Sequence, residues 1–296
     1  MGDYIVKATA YSDNVLAFSA LARDTVQTAK EIHNLTPTAC AALGRSLIAV
    51  AMMRVMMKGE KDKVTLVIKG DGPIGSIVAV SNFPGIVKGY VANPFVDLPL
   101  SEKGKLDVGR AVGKKGYVTV IKDIGLKEPY IGTVEIQTGE IGDDIAYYFY
   151  TSEQIPSAVG LGVLVGTDGN ILTAGGFILQ LLPDVKEEVV VKIEKSIARI
   201  SSVTELLKQG KTPEDILTYI FEEEEVKFLE KIPLRYECDC SQERFESAIL
   251  ALGKEEIRKL IQEEGGIETV CHFCGKKYFI TKKRLEELLE EAEGLR

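Results

Sequence analysis

The sequence predicts an α+β chain: a sheet-rich N-terminal domain with packed helices, a helical linker and a small C-terminal domain organised by cysteines. Three observations predict it. Short β-rich runs separated by Gly, Pro, Asn and Asp turns fill residues 1–183. A charged stretch with helical periodicity follows over residues 184–231. Four of the five cysteines then fall in Cys238-Asp239-Cys240 and Cys271-His272-Phe273-Cys274, a C-x-C and a C-x-x-C thirty residues apart.

Within residues 1–183, residues 4–10 read as a strand, Tyr11-Ser12-Asp13-Asn14 as a turn and residues 15–21 as the partner strand. Two helices should follow. Asp24 can cap the first, and Thr36-Pro37 opens the second with a hydroxyl at the N-cap and a proline at the first helical position. Residues 64–91 form a β-meander punctuated by Gly70-Asp71-Gly72-Pro73 and Asn82-Phe83-Pro84-Gly85. Further strands are predicted over 117–121 and 131–136, a helix over 144–153, and a hairpin over 163–174 turning at Asp168-Gly169-Asn170.

In the linker, Val189, Ile193, Ile197, Ile200, Val203 and Leu207 recur at three- and four-residue steps, giving one apolar stripe on an otherwise charged helix. Thr212-Pro213-Glu214-Asp215 opens another, with Ile216, Leu217, Ile220 and Phe221 as its apolar face. The like charges of Glu222 to Glu225 disfavour its continuation. Such a segment can cover a surface but cannot fold alone; without the cysteines it also reads as an ordinary helical linker.

Residues 232–296 are too few to hold a robust core without a staple. Ser241 caps a helix running to Gly253, Gly265-Gly266 turn into a short strand, and Thr281 caps a final charged helix. Between them Cys271 and Cys274 sit on a tight knuckle closed by Gly275. Thiolate is the soft ligand that selects zinc or iron–sulfur, and four sulfurs from two short turns can close a tetrahedral zinc shell. Cys238, Cys240, Cys271 and Cys274 are therefore the candidate metal ligands of a zinc-binding domain.

Composition narrows the setting. Thirty-six basic residues against 44 acidic ones give a net charge of −8, which disfavours a nucleic-acid partner. The acidity is concentrated late: residues 232–296 carry 11 basic and 14 acidic side chains, and the linker 8 and 12. The N-terminus lacks the basic charge of an export signal, and Arg45 and Arg54 interrupt the best apolar stretch, residues 39–57. The expectation is a soluble cytoplasmic protein, where paired cysteines bind metal or act in redox chemistry more often than they form structural disulfides.

The cysteines alone leave four readings open: a structural zinc knuckle, a redox switch, a nucleic-acid zinc ribbon and a disulfide oxidoreductase. A C-x-C pair forms a small, strained disulfide once metal leaves, and metal-bound thiolates are already in the form an oxidant attacks. A thioredoxin-like C-x-x-C would open a helix, whereas Gly275 and the strand-like Lys277-Tyr278-Phe279-Ile280 follow here. His272 reads as a spectator beside four sulfurs, His33 as a surface or capping histidine, and Cys40 as a small buried thiol. Catalysis has no support. No G-x-S-x-G occurs, and Gly160, Gly162 and Gly166 miss the dinucleotide-loop spacing; no Walker motif indicates ATP use.

The order of parts, together with Tyr148-Phe149-Tyr150-Thr151-Ser152-Glu153-Gln154-Ile155-Pro156 and Gly175-Gly176-Phe177-Ile178-Leu179-Gln180, resembles the thirty-three-kilodalton heat shock chaperonin family over essentially the whole chain. The resemblance implies a redox-regulated, ATP-independent holdase for unfolding proteins, and no enzyme. It implies one zinc ion on the four cysteines in the reduced, inactive state. Oxidation would pair Cys271 with Cys274 and Cys238 with Cys240 and release the metal. It further implies a homodimer formed through the N-terminal domain when active. Either the linker masks an apolar face of the first domain until it melts, or the melted linker itself binds clients.

Overall fold

A helix that is apolar all round must be buried on every side, and residues 37–56 form one, rich in Ala, Leu, Ile, Val and Met. The computed structural model describes residues 2–102, 104–183, 185–222 and 224–294 and divides into two compact units, residues 1–237 and 238–296. In chain order the first unit contains β1 (Tyr4–Ala10), β2 (Val15–Leu21), α1 (Arg23–His33), α2 (Pro37–Met56), β3 (Lys63–Gly70), β4 (Ser76–Phe83), β5 (Ile86–Val91) and α3 (Val108–Val112). It continues with β6 (Gly116–Asp123), β7 (Tyr130–Glu135), α4 (Ile141–Tyr148), β8 (Ser157–Val165), β9 (Ile171–Leu181), α5 (Glu187–Ala198), α6 (Val203–Lys208), α7 (Pro213–Phe221), β10 (Lys227–Pro233) and β11 (Arg235–Tyr236). A π-helical turn, Phe149–Glu153, extends α4. The second unit contains α8 (Gln242–Leu252), α9 (Lys254–Glu264), β12 (Gly266–Val270), β13 (Lys277–Thr281) and α10 (Lys282–Ala292).

Two sheets enclose α2, one ordered β10-β1-β2-β9-β8 and the other β11-β5-β4-β3-β6-β7. Alternation along the strands divides the first sheet's side chains between two layers. Ile5, Phe18, Ala20 and Ile178 join α2 in the main core, whereas Ala8, Ala10, Val15, Ala17, Phe177 and Leu179 form a second cluster. That second cluster is completed by Ile193 of α5, Val203 and Leu207 of α6, and Ile216, Leu217, Ile220 and Phe221 of α7. Residues of the charged linker thus bury their apolar side on the sheet. α2 is long and apolar enough to span a membrane by length and composition, yet it is the core helix of this sandwich. Its Arg54 is fully buried and donates to the carbonyls of Gly59 at 2.7 Å and Glu60 at 3.0 Å.

The structure departs from the sequence expectation at several places, each with a physical cause. The apolar stripe from Val189 to Leu207 is carried by two helices, α5 and α6. Ser202 is extended, and its Oγ lies 2.6 Å from Thr204 Oγ1, the local hydroxyl bonding that competes with helix. Asp24 lies within the first turn of α1 and does not cap it; Asp3, just before β1, does so. Its Oδ2 accepts from the Thr25 amide at 2.6 Å and hydroxyl at 2.7 Å. Burial pushes the Asp3 carboxyl up despite these bonds. Replacing Asp3 by Ala is expected to cost about 1–2 kcal/mol, read as a lower urea midpoint by circular dichroism; an unchanged midpoint would remove the cap from the account.

Thr36 occupies the N-cap of α2, but its hydroxyl donates to the carbonyls of Pro94, at 3.2 Å, and Val96, at 2.5 Å. The helix expected from residue 144 begins at Ile141, because Asp144 is needed inside: its Oδ1 accepts from the Gln137 amide at 2.8 Å and the Thr138 amide at 3.0 Å. At α7 the expected capping box is present, with Thr212 Oγ1 and Asp215 exchanging bonds. Glu214, expected only to suit the helix dipole, also accepts from Tyr4 Oη at 2.6 Å and Lys231 Nζ at 3.1 Å, fastening α7 to β1 and β10. The helix ends at Phe221, before the acidic run, of which Glu223 lies outside the described residues.

Residues 232–237 were expected in the C-terminal domain. Here β10 pairs with β1 and β11 with β5, and the compact units divide between Glu237 and Cys238. The expected boundary at Asp184 lies outside the described residues.

Candidate metal centre

The sulfurs of the second unit are brought together by two short pieces of local structure. Ser241 follows the C-x-C directly, and its Oγ accepts from the Arg244 amide at 3.4 Å, so α8 starts where the first turn ends. The β12–β13 hairpin, in register from Gly266 opposite Thr281 to Val270 opposite Lys277, carries the C-x-x-C at its tip. There the Cys271 amide donates to the Lys276 carbonyl at 2.9 Å, and the Gly275 amide to the Cys271 carbonyl at 2.8 Å. Gly275, with φ of +71°, takes the left-handed conformation that a side chain would strain. Ile249, Ile257, Ile280, Leu285 and Leu288 form the small core beneath. Arg284 of α10 reaches Glu246 of α8 at 2.9 Å.

All five cysteines are free thiols. The sulfurs of Cys238, Cys240, Cys271 and Cys274 lie within 4.8 Å of one another and are suited to hold a metal ion. Cys238 Sγ is 3.7 Å from Cys271 Sγ, and Cys240 Sγ is 3.4 Å from Cys274 Sγ. A zinc–sulfur bond of about 2.3 Å places tetrahedral sulfurs about 3.8 Å apart, so the donor set fits that ion in kind and spacing. Burial raises the Cys238 and Cys274 thiols. Burial acts the same way on Cys240, but hydrogen bonds from Tyr278 and the neighbouring thiols outweigh it and bring that thiol down to about 7.

The other residues singled out in the sequence are held elsewhere. Cys40 is buried in α2, where desolvation pushes its thiol up to about 12, an unreactive setting. His33 ends α1, and its Nε2 lies 3.1 Å from Tyr236 Oη, which in turn donates to the Gly89 carbonyl at 2.9 Å. The cluster is made by the four sulfurs alone, without His272. Gly160 belongs to β8, where an added Cβ would lie 2.4 Å from the Phe177 ring; sheet packing accounts for that glycine.

Sequence reasoning missed Tyr278, whose Oη lies 3.2 Å from Cys240 Sγ and 2.9 Å from the Cys240 carbonyl oxygen. The signal was available in period two. Along β13, Tyr278 and Ile280 are buried while Phe279 is exposed.

Fold and site together define an α+β protein whose helical segment is packed on a sheet and whose small C-terminal unit gathers four thiols suited to a metal. A family model described as Hsp33 protein matches residues 3–281. The chain is 89% identical over 294 residues to the 33 kDa chaperonin of Caldanaerobacter subterraneus subsp. tengcongensis, covering 99% of this chain and 100% of the relative. It is 51% identical over 296 residues to that of Shouchella clausii, covering 100% of both. The crystal structure of the 33 kDa chaperonin (heat shock protein 33 homolog) from Thermotoga maritima matches with a TM-score of 0.88 at 40% identity, over 99% of this chain and 100% of that one. The chain therefore belongs to the Hsp33 family, whose members are chaperones and not enzymes.

Proposed function

We propose that the protein is a redox-regulated, ATP-independent holdase that captures unfolding proteins under oxidative and heat stress. In the reduced state Cys238, Cys240, Cys271 and Cys274 hold one zinc ion. When bound, zinc keeps the four sulfurs as thiolates and staples a unit with a small core. Oxidation by hydroperoxide joins Cys271 to Cys274 and Cys238 to Cys240. Each bond takes two electrons from a thiolate pair and, with two protons from solvent, turns one hydroperoxide into water and an alcohol, or into two waters if the oxidant is hydrogen peroxide. The paired sulfurs are no longer thiolate donors, so the metal is released.

The observation that carries the reading is the apolar layer of α5, α6 and α7 on the first sheet, with Ile193, Leu217 and Phe221 buried against that sheet's outer side chains. The chain runs from these helices through β10 and β11 directly into Cys238. Loss of the C-terminal staple frees that end of the linker. Both the sheet face and the linker's apolar stripe then become available to unfolded clients. In this reading residues 1–183 are the core and dimerisation domain, residues 184–231 the metastable linker and residues 238–296 the switch domain, with residues 232–237 paired into the sheets of the first unit. The active form is a cytoplasmic homodimer, with neither nucleic acid nor membrane as a partner.

The test is light scattering of a heat-denatured client without ATP, comparing zinc-loaded reduced protein with protein treated with peroxide at an unfolding temperature. Suppression by the oxidised sample alone is expected. Equal behaviour of the two samples would reduce the thiol cluster to a structural knuckle.

A further inference from the structure

The four sulfurs do not have equivalent surroundings. The Cys238 sulfur takes a hydrogen bond from the backbone of Cys240, and the Cys274 sulfur from the backbone of Lys276. Such donors come with the turns themselves. Cys240 instead faces a side chain, Tyr278, with Oη 3.2 Å from Sγ and 2.9 Å from the Cys240 carbonyl oxygen.

The hydroxyl has one proton and two acceptors within reach. A metal-bound sulfur is a thiolate and only accepts, so an O–H···S bond to it is charge-assisted and stronger than one between neutral partners. The ring behind the hydroxyl is fixed. Tyr278 is buried, its centroid lies 5.0 Å from that of Phe245 on α8, and Lys276 Nζ lies 5.0 Å from the same centroid. Its strand is paired, with Tyr278 opposite Thr269.

We propose that Tyr278 is a positioning residue of the metal centre, holding the Cys240 sulfur in ligating geometry and lowering its reactivity through the O–H···S bond. The inference rests on the reading of the four cysteines as zinc ligands and deepens it. Groups that orient a ligand from outside the coordination shell are worth about 10- to 100-fold in metal affinity. A hydrogen bond also withdraws electron density from the thiolate, slowing its attack on an electrophile. Tyr278 therefore acts twice on Cys240, in holding metal and in delaying modification.

The experiment uses the full chain with Tyr278→Phe, which keeps the ring against Phe245 and removes only the hydroxyl. Phe245→Leu is the companion variant, loosening the ring packing while leaving the hydroxyl in place. Zinc affinity is measured by chelator competition, the sulfur-to-metal charge-transfer band after cobalt substitution, and the rate of Cys240 alkylation by peptide mapping in the metal-loaded protein. For Tyr278→Phe, zinc binding about 10- to 100-fold weaker, a shifted band and faster alkylation at Cys240 than at Cys271 are expected. For Phe245→Leu the band should stay where it is in the unsubstituted protein. An unshifted band with affinity unchanged in Tyr278→Phe overturns the proposal, as does the same affinity loss in both variants with neither band shifted, which would make the tyrosine a packing residue. Failure of the unsubstituted chain to bind zinc through the four thiols would instead overturn the underlying reading.

Discussion

A high-affinity zinc chelator added to the fully reduced protein is expected to unfold residues 238–296 while the sandwich around α2 stays folded. The buried core of this unit consists of Ile249, Ile257, Ile280, Leu285, Leu288 and few others. Ordering each residue of the unit costs about 1 kcal/mol or more, which so small a core does not offset. Binding of zinc to a small cysteine domain contributes on the order of 10 kcal/mol at neutral pH. Surface ion pairs cannot replace that. The Arg258 pair with Glu255 and the Lys259 pair with Glu256 are exposed i,i+3 contacts on α9, worth about 0.5 kcal/mol or less each. Hydrogen exchange should show protection collapsing across α8 to α10 while β2, β9 and α2 keep theirs. Cys238→Ser should lose that protection without a chelator. A C-terminal unit that stays protected without metal would show that its own packing suffices and that thiol pairing acts by some route other than loss of the staple.

The parts legible in the sequence were those written in local chemistry. The turn at residues 11–14, the meander punctuated by glycine and proline, the Thr212–Asp215 capping box and the Gly275 knuckle each need only neighbouring residues, and each is present. The missing parts depend on residues far apart in the chain. Asp3 caps α1 from just before β1, and Glu214 is shared by Tyr4 and Lys231, partners far from these positions in the chain. Burial of the first sheet on both faces was partly readable. Val15-Leu16-Ala17-Phe18-Ser19-Ala20-Leu21 shows no alternation, which marks a strand covered on each side. At the thiol cluster, spacing marked the four sulfurs, while Tyr278 needed the strand's inward face to be worked out. α9 was missed because it follows α8 after the single residue Gly253, at a position that reads as a helix end.

Substituting both Ile193 and Ile197 by Asp is expected to release the linker in the reduced, metal-loaded protein and to make it suppress aggregation without oxidation. Ile193 is 4% exposed within the outer cluster, and Ile197 packs at its margin. Losing one buried isoleucine costs about 2–5 kcal/mol, and a carboxylate in its place adds the cost of an unpaired buried charge. The remaining contacts of α5 are weak by comparison. Its ion pair from Lys192 to Glu224 is solvent-exposed and contributes at most about 1 kcal/mol. Val191→Asp on the exposed side of the same helix is the control, since it adds the same charge without removing a core contact and should leave the reduced protein silent. The double variant separates the two ways a linker can serve a holdase. If the sheet face is the capture surface, uncovering it is sufficient and the variant is constitutively active. If the melted linker is itself the capture element, aspartates in its apolar stripe abolish activity before and after oxidation alike. Constitutive activity is the outcome the buried cluster favours, because the sheet contributes Phe177 and Leu179 to a layer that exposure of the linker alone would leave unused.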